Sequence, residues 1–382
     1  MPSALGYPQV QMTTPEETKQ ATPAPIPFVR AAKRHAEQGA TQNNPAPWVA
    51  TQQQFLVPPY GFLSALYMTI AATGGTGSAV AAGADAPWNV ASNILLADVN
   101  GTPFWNLDGY ASYLARKWGG YRLGRSDQST FGFQAVTTAG LFKVKFGLFQ
   151  EFGQGARGAL PNFDASAAYK CTITYNSPAT GTGPNNVYTA FTGGAPALAT
   201  TLEALMRSEP ASADAFGQPQ QTKPPASGSI SYWTSQSFQV AAGSNTLLLT
   251  RVGNLIRNQI LVFRDAGGSR ANADSTGVTP TVLEYQWDGS QRYILNVDTL
   301  RELAYEYIGY DADAGVIPLQ NTLDNDGIPI NESGNEWMQT LGSTKLGLRF
   351  TSAAAGTLQV ITNDIVAVSA DIFSNAVTPA YA

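Results

Sequence analysis

Asn106-Leu107-Asp108-Gly109-Tyr110-Ala111-Ser112-Tyr113-Leu114-Ala115-Arg116-Lys117-Trp118-Gly119-Gly120 is the stretch that decides how this chain is read. It has the marks of a short helix. Asp108 offers a side-chain oxygen to the first free amides, and Tyr110, Tyr113, Leu114 and Trp118 recur at three- and four-residue steps. Gly119 is placed for a left-handed stop. The pattern returns 190 positions later as Asn296-Val297-Asp298-Thr299-Leu300-Arg301-Glu302-Leu303-Ala304-Tyr305-Glu306-Tyr307-Ile308-Gly309. There Leu300, Leu303, Ala304 and Ile308 take the apolar places, Gly309 takes the stop, and Thr299 with Glu302 predicts a capping box.

The echo extends upstream. Ile94 to Val99 precedes the turn Asn100-Gly101, and Val282 to Trp287 precedes Asp288-Gly289. Further back, Gly61-Phe62-Leu63 through Ile70 ends at Gly74-Gly75, as Gly253-Asn254-Leu255 through Phe263 ends at Gly267-Gly268. Landmarks in one order at nearly one spacing predict two similar domains in tandem.

Composition bounds what such a chain does. Its 382 residues suffice for two cores, and only 13% are charged, about half the usual share. So few charges fit a subunit buried among neighbours. A net charge of −5 leaves no electrostatic footprint for nucleic acid, and no specific nucleic-acid partner is expected. One cysteine, Cys171, excludes an internal disulfide. Met1 to Gln20 has no charged-then-apolar leader, and the apolar run near Phe62 to Ala72 is too short to span a bilayer. A soluble chain is expected.

Residues 1–50 read as an arm, rich in proline and without a core of its own. Within it Phe28 to Glu37 predicts about two helical turns, with Arg30, Lys33, Arg34 and Glu37 on one face. That basic face is either a dock for an anionic membrane surface, nucleic acid or a neighbouring subunit, or an ordinary solvated helix. Phe142 to Leu148 and Tyr169 to Tyr175 alternate as half-buried strands do. A Gly/Pro/Ala/Thr-rich tract over 176–229 reads as a long loop interrupted by a short helix, Leu198 to Arg207. Strand signals resume at Ile230-Ser231-Tyr232-Trp233, near Asn245 to Leu249, at Val316 to Leu319, and over Leu346 to Phe350 and Thr357 to Ile361. Many short strands with one isolated helix per half predict an all-β protein of sandwiches or barrels.

Catalytic and metal constellations are scarce. His35, the single histidine, lies in the arm, and Cys171 sits in an alternating strand; neither has a relay partner, and counting excludes zinc sites built on Cys and His. Gly153-Gln154-Gly155-Ala156-Arg157-Gly158 spells the dinucleotide pattern, but Ala159-Leu160-Pro161-Asn162-Phe163 is a poor helix, and a turn is expected. Leu323-Asp324-Asn325-Asp326-Gly327 hints at a calcium loop, yet Thr322 and Ser333 occupy the positions of its first and last ligands. Asp311 and Asp313 have no spacing that fixes a glycosidase pair. Trp105, Trp118, Trp233 and Trp287 adjoin strand or helix signals and are expected in the core. No cofactor, no metal and no enzymatic activity is expected.

The order of these segments resembles the double jelly-roll major capsid proteins, above all those of tectivirus-like bacteriophages with an internal membrane. The local likeness lies in Gly140 to Phe163 with the strand at Tyr169, in Ile260 to Gly268, and in the closing strands from Leu346 to Val368. The resemblance implies two tandem eight-stranded jelly rolls, each with a short helix in a connection. On it, 1–50 is an N-terminal arm, 51–243 the first jelly roll including the loop 176–229, 244–372 the second, and 373–382 a tail. It further implies homotrimers of pseudo-hexagonal outline that tile an icosahedral shell in a virion assembled in the host cytoplasm. Expected partners are neighbouring capsomers, vertex and minor capsid proteins, and the internal viral membrane, met by the arm at Arg30, Lys33 and Arg34. Deleting residues 1–45 is then expected to spare the trimer. The alternative is a phage spike or fibre, or a carbohydrate-binding β-sandwich protein, with a β-sandwich glycoside hydrolase behind both.

Overall fold

The computed structural model describes residues 24–119, 132–152, 156–181, 183–273, 276–320, 337–340, 342–343 and 345–366. After a one-turn helix α1 (Phe28–Ala31), the front half runs β1 (Arg34–Asn44), β2 (Gln52–Leu56), β3 (Phe62–Thr73), β4 (Ser78–Ala82), β5 (Ala91–Ala97) and β6 (Pro103–Leu107). Helix α2 (Gly109–Trp118) follows, then β7 (Lys143–Phe149), β8 (Leu160–Pro161), β9 (Lys170–Tyr175), β10 (Tyr188–Thr192) and β11 (Ala197–Arg207). The back half holds β12 (Ile230–Val240), β13 (Gly243–Leu249), β14 (Leu255–Asp265), β15 (Val282–Trp287) and β16 (Ser290–Asn296). Helix α3 (Val297–Ile308), β17 (Val316–Gln320), β18 (Met338–Gln339), β19 (Leu346–Ser352) and β20 (Gly356–Val366) complete it.

Each half pairs its strands in one order. In front the sheets run β1-β11-β3-β7 and β2-β9-β5-β6; behind they run β12-β20-β14-β17 and β13-β19-β15-β16. With β4, β8, β10 and β18 set aside as additions, both halves are eight strands paired 1-8-3-6 and 2-7-4-5, two jelly rolls. Irregularities repeat as well. Ser64 is the extra residue where Leu63 and Ala65 pair with consecutive residues of β11, and Arg257 is its counterpart between Ile256 and Asn258 against β20. Phe104 in β6 and Arg292 in β16 are likewise extra against β5 and β15. These matching bulges fix which residues of β3 and β14, and of β6 and β16, correspond, whereas the shifts after Gln38 in β1 and after Ala91 in β5 have no counterpart behind.

The two helices are capped differently. Asp108 accepts from the Ala111 amide at 2.7 Å, as expected, but in the second copy Asn296 caps, accepting from the Asp298 amide at 2.8 Å. Helix α3 therefore starts before Thr299, which is already helical and does not cap it. Gly309 has φ 78°, the expected left-handed stop; Gly119 has φ −77°, so α2 ends without one.

Four expectations give way. Arg34–Asn44 is no arm or helix: it pairs with β11, because Lys33 and Ser208 tie the strands' ends and only Phe28 of α1 finds a core. Arg30, Lys33, Arg34 and Glu37 consequently share no helical face. Leu198 to Arg207 is the central strand β11, burying Leu198, Thr200, Leu202, Ala204 and Met206 at period two between β1 and β3. The tract 176–229 thus contains two strands. Finally, β12 pairs along its whole length with β20, so a boundary after residue 243 cuts it off from its sheet.

Candidate functional site

The joint between the halves concentrates the buried polar chemistry. Strand β12 lies parallel to β6, Trp233 opposite Trp105 and Thr234 opposite Asn106, which fuses a sheet of each half into one. The two indoles are fully buried with centroids 5.6 Å apart, and Trp105 Nε1 donates to Ser112 Oγ on α2. Helix α2 is held from behind. Buried Arg257, the bulge residue of β14, donates to the Gly119 carbonyl at 2.7 Å, a cation where the helix end is negative. Asn258 Nδ2 reaches the Trp118 carbonyl, and Lys117 Nζ lies 3.2 Å from Asp313.

Asp85 is the centre of the charge network. Its carboxylate, 1% exposed, sits 2.5 Å from Arg264 and 2.9 Å from Arg270. Both guanidinium groups come within cation–π range of the Tyr110 ring, at 5.3 and 4.7 Å. Tyr110 donates to Asp313 at 2.9 Å; burial first, and then the Asp313 charge, push its hydroxyl well above the usual phenol range. Gln359 donates to Asp108, the α2 cap, across the same seam. Asp85, Asn89, Asp108, Tyr110, Arg264 and Gln359 line a cavity of about 220 Å³. Asp85 faces two arginines and Asp313 faces a lysine, so the arrangement fastens the two halves to one another.

Residues singled out for chemistry fall elsewhere. His35 lies in β1 against the Tyr60 ring, 3.5 Å from Glu37. Cys171 is fully buried between Phe55 and Leu96 on adjoining strands, and burial pushes its thiol up to about 12, far from a thiolate. Of the glycine pattern, Gly153 to Gly155 lie outside the described residues; Ala156 and Gly158 have φ 68° and 73° and lead to β8. Asp324 and Asp326 also lie outside the described residues, among which no group of three His, Cys, Asp or Glu is placed to hold a metal. Asp313 serves the joint while Asp311 is exposed. Trp105, Trp118 and Trp233 are core. Arg30, Lys33 and Arg34 are all exposed, on α1, on the link after it and on β1. Sequence reasoning missed the grouping of Asp85 with Arg264 and Arg270, because the carboxylate lies far along the chain from both cations.

No protein-family model and no curated protein matches the chain. Solved structures do. The major capsid protein of Sulfolobus Turreted Icosahedral Virus superposes with a TM-score of 0.60 at 11% identity, over 88% of this chain and 97% of that one. A chain of the PBCV-1 virus capsid gives 0.60 at 10% identity, over 87% and 93%. The major capsid protein P2 of bacteriophage PM2 gives 0.53 at 9% identity, over 88% and 99%. With two jelly rolls of one strand order fused through β6 and β12, this chain has the double jelly-roll fold of viral major capsid proteins.

Proposed function

We propose that the chain is a structural major capsid protein, whose units 34–207 and 230–366 are the two building blocks of one tile. Three copies form a pseudo-hexagonal capsomer, and capsomers cover an icosahedral shell over an internal membrane. A three-fold ring of two like units supplies six similar edges, the geometry such tiling needs. The observation that carries the reading is the joint itself: buried ion pairs and two packed, tilted indoles tie two jelly rolls into one piece. Neighbouring capsomers and vertex proteins are the partners, and the exposed Arg30, Lys33 and Arg34 meet the membrane or an adjoining copy.

Mass photometry of the purified protein tests this, with negative-stain imaging of its outline. Trimers of hexagonal profile are the expected result. A stable monomer at micromolar concentration sinks the reading. Flotation with anionic vesicles tests the basic cluster: charge reversal at Arg30, Lys33 and Arg34 abolishes co-flotation if they face a membrane, since each contributes about 1 kcal/mol near such a surface.

A further inference from the structure

Matching bulges make the two halves comparable strand by strand, and the comparison leaves two edges over. In each jelly roll the first strand and the fifth strand end their sheets. The back half's first strand, β12, is paired with the front half's fifth, β6. Among the described residues, the front half's first strand, β1, and the back half's fifth, β16, pair on one side only. Open edges present unpaired amides and carbonyls in a row and invite a further strand.

We propose that β1 of one copy adds in parallel to β16 of the next copy, repeating between molecules the joint that β12 and β6 make within one. The inference rests on the self-assembling capsid reading and names the surfaces that meet. Three observations support it. Arg34, Ala36, Glu37 and Gln38 at the start of β1 are exposed, while Gln42 and Asn43 farther along bond to β2, so the open part of β1 matches the part of β12 used in the joint. Helix α2, beside the filled joint, is buried on nearly every side, whereas its counterpart α3 leaves Tyr305 45% exposed. Beside the open edge, Ile294 and Val282 are 53% and 47% exposed, diagonal neighbours on one face that form an apolar patch.

The register follows from the bulges. Asn258, just past one bulge, pairs with Asn363 and through it with Trp233; Ala65, just past the other, pairs with Leu205 and through it with Ala36. Trp105, just past the bulge in β6, corresponds to Tyr293 in β16. The intramolecular pairs Trp233–Trp105 and Thr234–Asn106 therefore predict Ala36–Tyr293 and Glu37–Ile294 between copies. The contact is head to tail, and it closes into a ring rather than a pair.

Cysteine cross-linking decides the matter, since a disulfide needs Cα atoms roughly 4.4–6.8 Å apart. Under mild oxidation a chain carrying Glu37→Cys and Ile294→Cys is expected to lose its monomer band to covalent multimers ending at a trimer. Mixing the two single variants is expected to give covalent dimers, and each single variant alone none. A Thr234→Cys, Asn106→Cys chain, cross-linking within itself, shows that the chemistry reports this strand geometry. Trimers by mass photometry that form no Glu37–Ile294 bond, while that control forms its own, overturn the joint and leave the capsid reading standing. Monomers overturn both.

Discussion

Asp85 concentrates the energetics of the joint in one carboxylate, because two nearly buried guanidinium groups depend on it. Removing one partner of a buried pair leaves charge without compensation, which costs about 3–5 kcal/mol. Asp85→Ala is expected to lower the unfolding free energy read from urea titration by that much, while Asp311→Ala, at an exposed position, leaves it within about 0.5 kcal/mol. Burial at other residues sets a pH dependence. Cys171 and Tyr175 have folded pKa values pushed up to about 12, from ordinary values of 9.0 and 10.0. Above pH 9 the unfolded chain releases these protons and the folded one keeps them, so stability falls as pH rises from about 9 to 12. Urea titrations across that range check the direction. The same burial predicts that a thiol reagent at pH 8 labels Cys171 only after unfolding.

At the scale of elements, legibility followed how much of a strand's pattern is its own. Val144, Phe146 and Leu148 in β7, and Cys171, Ile173 and Tyr175 in β9, bury one face and betray their strands by alternation. Strand β1 buries only Asn44, so its polar sequence has no period to read. In β11 the alternation exists, but Ala, Leu, Glu, Met and Arg are helix formers; pairing on both sides overrides that preference. Both helices were legible from their apolar spacing, and α2 from its cap Asp108, but α3 is capped by Asn296 rather than by the expected Thr299. Asn296→Ala is expected to cost about 1 kcal/mol through the lost cap. Gly309→Ala, at φ 78° with open space around it, is expected to cost about 1 kcal/mol through backbone strain alone. Thermal melts of the two variants and their double test additivity at opposite ends of α3.

For the molecule as a whole, duplication was readable because turn glycines and the Asn-apolar-Asp helix openings at Asn106 and Asn296 recur at nearly fixed spacing, whereas the seam was not. Asp85, Arg264 and Arg270 come together only through the fold. Likewise, β12 carries strand signals that fit either half, and only its pairing with β20 assigns it. Deleting residues 1–45 now has the opposite outcome to the one the sequence suggested. It removes β1 and bares the long edge of β11, so the front half is expected to lose its cooperative melt. Calorimetry of the intact chain is expected to show one transition, since one sheet and one hydrophobic cluster draw on both halves.

That shared sheet also governs mechanics. A plate whose midline is stitched by backbone hydrogen bonds and braced by salt bridges cannot crease there. Any curvature in a surface built from such plates must be absorbed at their borders, and a pulling force meets the seam as shear before it finds a hinge.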